Sequence, residues 1–273
     1  MDYLPMLMTA SISTRGIKGA CFTDDERLNM YVETLNFYCC NDLFSKRYYR
    51  NVAIVFAENS GFDLEVFKSL IWNLNGIKIE YISVDPSIFD ISRGKGYNEL
   101  LLIGEAVKRS FYIKRSSGFF KVTGRYPVYN IGYFLGKATD MISAGGYSMY
   151  CDIKGHRLYD ILRLGWEAHV ADVRLFGVRT DFFSEKILCR NDELNDYTGG
   201  LFEKLVFDVV KNELKKPGGH KIVCRYNKEP RLGALEGSNV NAVSFSKNRD
   251  GAKGRLKRFG GNSVRLLFPW FWF

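Results

Sequence analysis

Apolar residues follow two alternating rhythms along the chain. "MLMTAS" (6–11), "NVAIVFA" (51–57), "IKIEYISV" (77–84) and "GFFKVTG" (118–124) are short apolar runs with the length of buried strands. Between them, apolar positions recur at helical spacing. Leu28, Tyr31, Val32 and Leu35 follow a Thr23-to-Glu26 capping pattern; Leu64, Phe67, Ile71 and Leu74 form a second set, and Leu100, Ile103 and Val107 a third. This alternation predicts βαβ units, and so an α/β, Rossmann-like, mainly parallel sheet flanked by helices. Ligands of such sheets bind outside the carboxyl ends of the strands. Three polar strand ends therefore share one rim: Thr9, Ala10 and Ser11; Glu58 and Asn59; and Thr123, Gly124 and Arg125.

The second half is less regular. "DVRLFGVRTDFF" (172–183) reads as a strand with charged interruptions. Residues 198–216 read as a helix with Leu201, Leu205 and Val209 on one face, and "PGGHKIVCRYN" ends it and opens another strand. After about Asn239 the chain turns to Ser, Asn, Gly and Lys, a linker composition. The expected division is a domain over 1–240 and a tail over 241–273.

Composition sharpens that division. The net charge is +9, but residues 241–273 hold seven basic residues against one acid, Asp250, and so carry +6 of it. The nearly balanced body does not resemble a nucleic-acid-binding domain, which leaves any such binding to the tail. The tail ends in Leu266, Leu267, Phe268, Trp270, Phe271, Trp272 and Phe273; aromatic rings beside basic residues suit an anionic lipid surface, or else dock back as core. Six cysteines lack C-x-x-C spacing and three histidines are scattered, so neither a zinc site nor a disulfide framework is expected. No run approaches a membrane span, and "MDYLPMLMTASIS" lacks a basic n-region. The expected location is cytoplasmic, peripheral on the inner face of the membrane.

The candidate chemistry lies at the rim and in the second half. Gly94, Lys95 and Gly96 in "RGKG" precede a helix N-terminus, where backbone N–H groups either cradle a phosphate or form a plain turn with solvated charges. Arg125 suits bidentate contact with phosphate or carboxylate, or a surface salt bridge. Lys121 and Thr123 read as alternating residues of a half-buried strand, and Asn130 as a turn cap or a hydroxyl ligand. Glu203, behind Gly199 and Gly200, is an exposed first-turn acid or a catalytic one.

In this order, "TASI", "ENSG", "GKGYNE" and "FKVTGRYPVYNI" resemble bacterial glycosyltransferase-like proteins of surface-polysaccharide (capsule or lipopolysaccharide) clusters, with a GT-A-type core over roughly residues 6 to 215. The resemblance implies sugar transfer from a nucleotide-sugar donor to a glycan acceptor, lipid-linked where the tail meets a membrane. It places Thr9, Ala10 and Ser11 beside the nucleotide, Glu58 and Asn59 near base or ribose, and Gly94, Lys95 and Gly96 at the donor. Thr123, Gly124 and Arg125 stand where many such enzymes carry an Asp-x-Asp metal motif, so no cofactor is indicated, a divalent metal stays open, and Arg125 or Lys95 could neutralise the diphosphate instead. Inverting transfer needs a carboxylate base; Glu203 occupies the matching place, with Asp172 as the second candidate. Two other classes stay open: a non-catalytic membrane- or nucleic-acid-binding adaptor, and a nucleotidyltransferase, which would need clustered metal-binding carboxylates.

Overall fold

The computed structural model describes residues 3–14, 22–40, 52–155, 169–233 and 252–267. Strands β1 (Met6–Ala10), β2 (Ala53–Glu58), β3 (Lys78–Ser83) and β4 (Gly118–Thr123) form where the apolar runs predict them. The second half adds β5 (Met149–Tyr150), β6 (Ile153–Gly155), β7 (His169–Ala171), β8 (Leu175–Arg179) and β9 (Ile222–Val223). Seven strands make one sheet in the order β3-β2-β1-β4-β8-β5-β9, while β6 and β7 pair with each other. β1 to β4 run parallel, and β8 is antiparallel to both β4 and β5. The fold is thus mixed α/β with a mainly parallel central sheet.

Among the described residues the α-helices of six residues or more are α1 (Asp24–Cys40), α2 (Leu64–Ser69), α3 (Lys95–Arg109), α4 (Ile131–Thr139), α5 (Phe202–Lys215) and α6 (Ala252–Leu267). The Thr23 and Glu26 capping box starts α1: Thr23 Oγ1 accepts from Glu26 N at 3.2 Å, and Glu26 Oε2 accepts from Thr23 N at 2.8 Å. Strand alternation divides the core between the two sheet faces. Leu7, Val55, Ala57 and Phe119 meet Leu100, Ile103, Leu205 and Val209 of α3 and α5. Met6, Met8, Ile54, Phe56, Phe120 and Val122 meet Tyr31, Leu35, Phe67 and Phe134 of α1, α2 and α4. Each large side chain so buried contributes about 1.5–3 kcal/mol. The same parity turns Thr9, Lys121 and Thr123 towards α3 and α5, which sets the position of the site.

Two expectations need correction. The second helical set stops at Ser69, leaving Leu74 exposed, because Asn36 of α1 binds the chain beyond it: its Nδ2 donates to Leu70 O at 3.1 Å and its Oδ1 accepts from Trp72 N at 2.7 Å. The strand expected over 172–183 begins at Leu175 and gives way to helical turns from Thr180. The tail segment 252–267 is a helix, which its linker-like start hid; the terminal cluster from Phe268 onward lies outside the described residues.

Candidate functional site

Lys121 lies in the middle of β4 and is fully buried, so each of its three ammonium protons needs an acceptor. It has three: Glu99 Oε1 at 2.7 Å, Val173 O at 2.7 Å and Thr123 Oγ1 at 3.1 Å. Glu99 is supplied by the second turn of α3, and its Oε1 also accepts from Thr9 Oγ1 at 2.8 Å. Burial alone would raise the Glu99 carboxyl, but Lys121, with Thr9 and the more distant Arg125, holds it below its ordinary value. Strands β1 and β4 and helix α3 are thereby pinned around one ion pair at the rim.

Glu203 approaches the same place from the first turn of α5. It is half-buried, and no side chain among the described residues forms an ion pair or a hydrogen bond with it. Burial pushes its carboxyl above the ordinary value; the neighbouring carboxylates Glu99 and Asp196 add to the push, and Lys121 opposes it. A carboxylate in this condition is a better proton acceptor near neutral pH than an exposed one. The preceding glycines serve the turn itself: Asn195 and Gly200 pair through N-to-O bonds of 2.9 and 3.0 Å, a Cβ on Gly200 would strike Glu193 O, and Gly199 has φ +88°.

The residues expected at the first strand ends divide into supports and open groups. Ala10 is buried and its carbonyl accepts from Asn59 N at 3.3 Å. Ser11 is fixed by Tyr31, whose hydroxyl accepts from Ser11 N at 3.0 Å, and by Arg27, whose Nε donates to Ser11 O at 2.8 Å. Glu58 is fully buried and shapes the following loop, accepting from Ile12 N at 3.2 Å, Ser60 N at 2.7 Å and Gly61 N at 3.1 Å, and from the Ser60 hydroxyl. Those donors use its carboxylate, which serves the loop rather than standing open at the rim. The Oδ1 of Asn59 is buried with no hydrogen-bond partner among the described residues.

Gly124 is required by close packing: a Cβ there would lie 2.8 Å from Thr9 O and 3.1 Å from the Tyr31 ring. Arg125, next in sequence, is half-buried and makes no hydrogen bond or ion pair with another described residue, although it acts electrostatically on Glu99 and Tyr126. The "RGKG" turn is spoken for differently. Asp196 Oδ2 accepts from Gly96 N at 3.0 Å, and Cβ atoms on Gly94 or Gly96 would strike the Asp196 side chain. Arg93 donates to the carbonyls of Leu194 and Asp192 and stacks over Tyr97 at 3.9 Å. Asp196 thus takes the Gly96 N–H and the space beside Gly94, the groups that a phosphate cradle at this turn would use. This turn instead docks the 191–200 loop, and with it Glu203.

Asp172 is clamped by Arg174, which donates from Nε to Oδ1 at 2.8 Å and from Nη2 to Oδ2 at 2.7 Å. Burial opposes ionisation of Asp172, but Arg174 overrides it and holds the carboxyl below its ordinary value. Such a carboxylate is a poor base. Asn130 is a structural tie, donating to Glu229 O at 3.0 Å and accepting from Arg231 N at 2.8 Å. Among the described residues no group of three or more His, Cys, Asp or Glu side chains is placed to hold a metal ion, and no carboxylate follows β4 at 123–125. Sequence reasoning missed Glu99, Asp196 and Arg27; a lone lysine inside the apolar "GFFKVT" was the available signal for a buried partner.

No family model and no curated protein matches the sequence. Among solved structures, the chain is similar to a Bacillus anthracis protein assigned as a glucose-1-phosphate thymidylyltransferase, at 11% identity, TM-score 0.48, over 92% of this chain and 95% of that one. It is similar to a Desulfovibrio desulfuricans protein assigned as a nucleotide-diphospho-sugar transferase, at 13% identity, TM-score 0.46, over 97% and 98%. It is also similar to mouse xyloside xylosyltransferase 1, at 10% identity, TM-score 0.43, over 84% and 87%. Likenesses of this degree assign no residue a role, so the function rests on the geometry above.

Proposed function

We propose that the protein is a glycosyltransferase that moves a sugar from a nucleotide-sugar donor to a glycan acceptor, with inversion and Glu203 as the base. The observation that carries this reading is the half-buried Glu203 carboxylate, raised in pKa, beside a fixed Glu99–Lys121 pair at the carboxyl rim of a parallel sheet. Asn59 and Arg125 follow β2 and β4, whose ends, with β1 between them, are two strand spacings or about 10 Å apart. A ribosyl diphosphate spans that gap, its ribose or base beside Asn59 and its phosphates at the Arg125 guanidinium. Arg125 then neutralises the leaving diphosphate without a metal.

The catalytic body over 1–240 and the segment after it divide the work. Helix α6 carries Lys253, Arg255, Lys257, Arg258 and Arg265 with no acid, and exposes Leu256, Phe259, Leu266 and Leu267. At 100° per residue these four lie within an arc of about 100°. Its other side is held by Arg265, which donates to Asp152 Oδ2 at 3.0 Å, and by Asn262, whose Oδ1 accepts from Glu229 N at 3.0 Å. Asp152 and Tyr226 follow the carboxyl ends of β5 and β9, so α6 sits on the side of the sheet where Glu203 lies. Contact of α6 with the anionic inner face of the membrane would bring the cleft to a lipid-linked acceptor of surface-polysaccharide synthesis.

Thermal unfolding against uridine-, guanosine- and thymidine-diphosphate sugars, in EDTA, tests this reading. One donor should stabilise the wild type, by about 2.7 kcal/mol at 100 times its Kd. Arg125→Ala should retain the fold and lose at least tenfold in affinity for that donor. No stabilisation by any donor, or unchanged affinity in Arg125→Ala, contradicts it.

A further inference from the structure

We propose that Glu99 reads the donor sugar, accepting a hydroxyl hydrogen bond through Oε2, and that this sugar is neutral; the inference rests on the nucleotide-sugar reading. The two oxygens of Glu99 are in unlike states. Oε1 is saturated by Thr9 Oγ1 at 2.8 Å and Lys121 Nζ at 2.7 Å. Oε2 has no hydrogen-bond partner among the described residues, and the side chain is still 26% exposed. Because Lys121 is fully buried and its three protons are matched, its charge is spent on holding Glu99 in place. What the cleft receives is therefore one fixed acceptor-only oxygen, and a sugar hydroxyl is the donor that fits it.

Charge across the cleft sets the direction of the ligand. Glu99, Asp196 and Glu203 gather on the side of α3 and α5, close enough for each of the other two to act on Glu203. Arg125 stands at the end of β4. The diphosphate is drawn to the arginine, and the uncharged hydroxylated part of the donor to the carboxylates. An acidic sugar placed beside Glu99 would meet the like charge of Glu99, Asp196 and Glu203, and Lys121 is already committed to Glu99.

The test is calorimetric titration of the full chain with UDP, GDP and dTDP, with UDP-glucose, UDP-galactose, GDP-mannose and dTDP-glucose, and with UDP-glucuronate. Glu99→Gln should weaken the sugar-linked form of the nucleotide bound by at least tenfold and leave the free nucleoside diphosphate within twofold. If that variant does not fold, Glu99→Gln/Lys121→Met removes both charges of the pair together and serves in its place. Equal losses for both forms, or no loss for either, would assign Glu99 to structure alone and leave the function standing. Tighter binding of UDP-glucuronate than of every neutral donor also overturns the inference. Failure of the wild type to bind any probe overturns it together with the function on which it rests.

Discussion

An ammonium group wholly removed from water survives in a fold only when its charge and its protons are matched, and Lys121 meets both conditions through Glu99, Thr123 and Val173. The Glu99 carboxyl is held below its ordinary 4.5, so this group stabilises the fold above that pH and loses the contribution as pH falls through the lowered value. Acid denaturation should show it: below about pH 4.5 the wild type should lose stability more steeply than Glu99→Gln/Lys121→Met, measured by urea unfolding at stepped pH. Equal slopes would mean that the pair is not formed. At this scale the sequence was only partly legible. A lysine amid Phe119, Phe120 and Val122 marks a buried cation, but its partner lies 22 positions away on a helix, a separation that local pattern does not encode. The position of Glu203 at the start of an amphipathic helix could be read locally, whereas its role as a base came only from the resemblance.

Elements were legible wherever periodicity alone decided them. β1 to β4, α1, α3 and α5 follow the apolar spacing closely. Helix α2 ended early because the Asn36 side chain captures the backbone beyond it, a tertiary contact without a local signature. Helix α6 is hard to see in the sequence, because Gly254, Gly260 and Gly261 lower helix propensity, although its apolar residues repeat at helical spacing. That helix makes its own prediction. Leu256 and Phe259 are 73% and 72% exposed, so Leu256→Asp/Phe259→Asp should leave the unfolding midpoint unchanged. Sedimentation with phosphatidylserine vesicles should capture the wild type and leave the variant in solution. Capture of both would remove the membrane role from this face.

Across the whole molecule, the α3 and α5 layer brings a held carboxylate, Glu99, and an open one, Glu203, to the same rim as Arg125. The 191–200 loop, seated on the N-terminus of α3 through Asp196 and Arg93, fixes where α5 begins. A phosphate cradle was expected at that turn; sequence alone could not show that an aspartate 100 residues on fills it. In the proposed function the labour at this rim is divided: Arg125 would take the leaving charge and Glu203 the acceptor's proton. The most direct measurement is release of nucleoside diphosphate from the bound donor, with a lipid-linked glycan fraction as acceptor, by wild type and Glu203→Gln across pH. The account predicts that the variant keeps donor affinity and loses roughly 10²–10⁴-fold in turnover, and that wild-type turnover rises with pH through a value above the ordinary glutamate range. Wild-type turnover by a folded Glu203→Gln would contradict it.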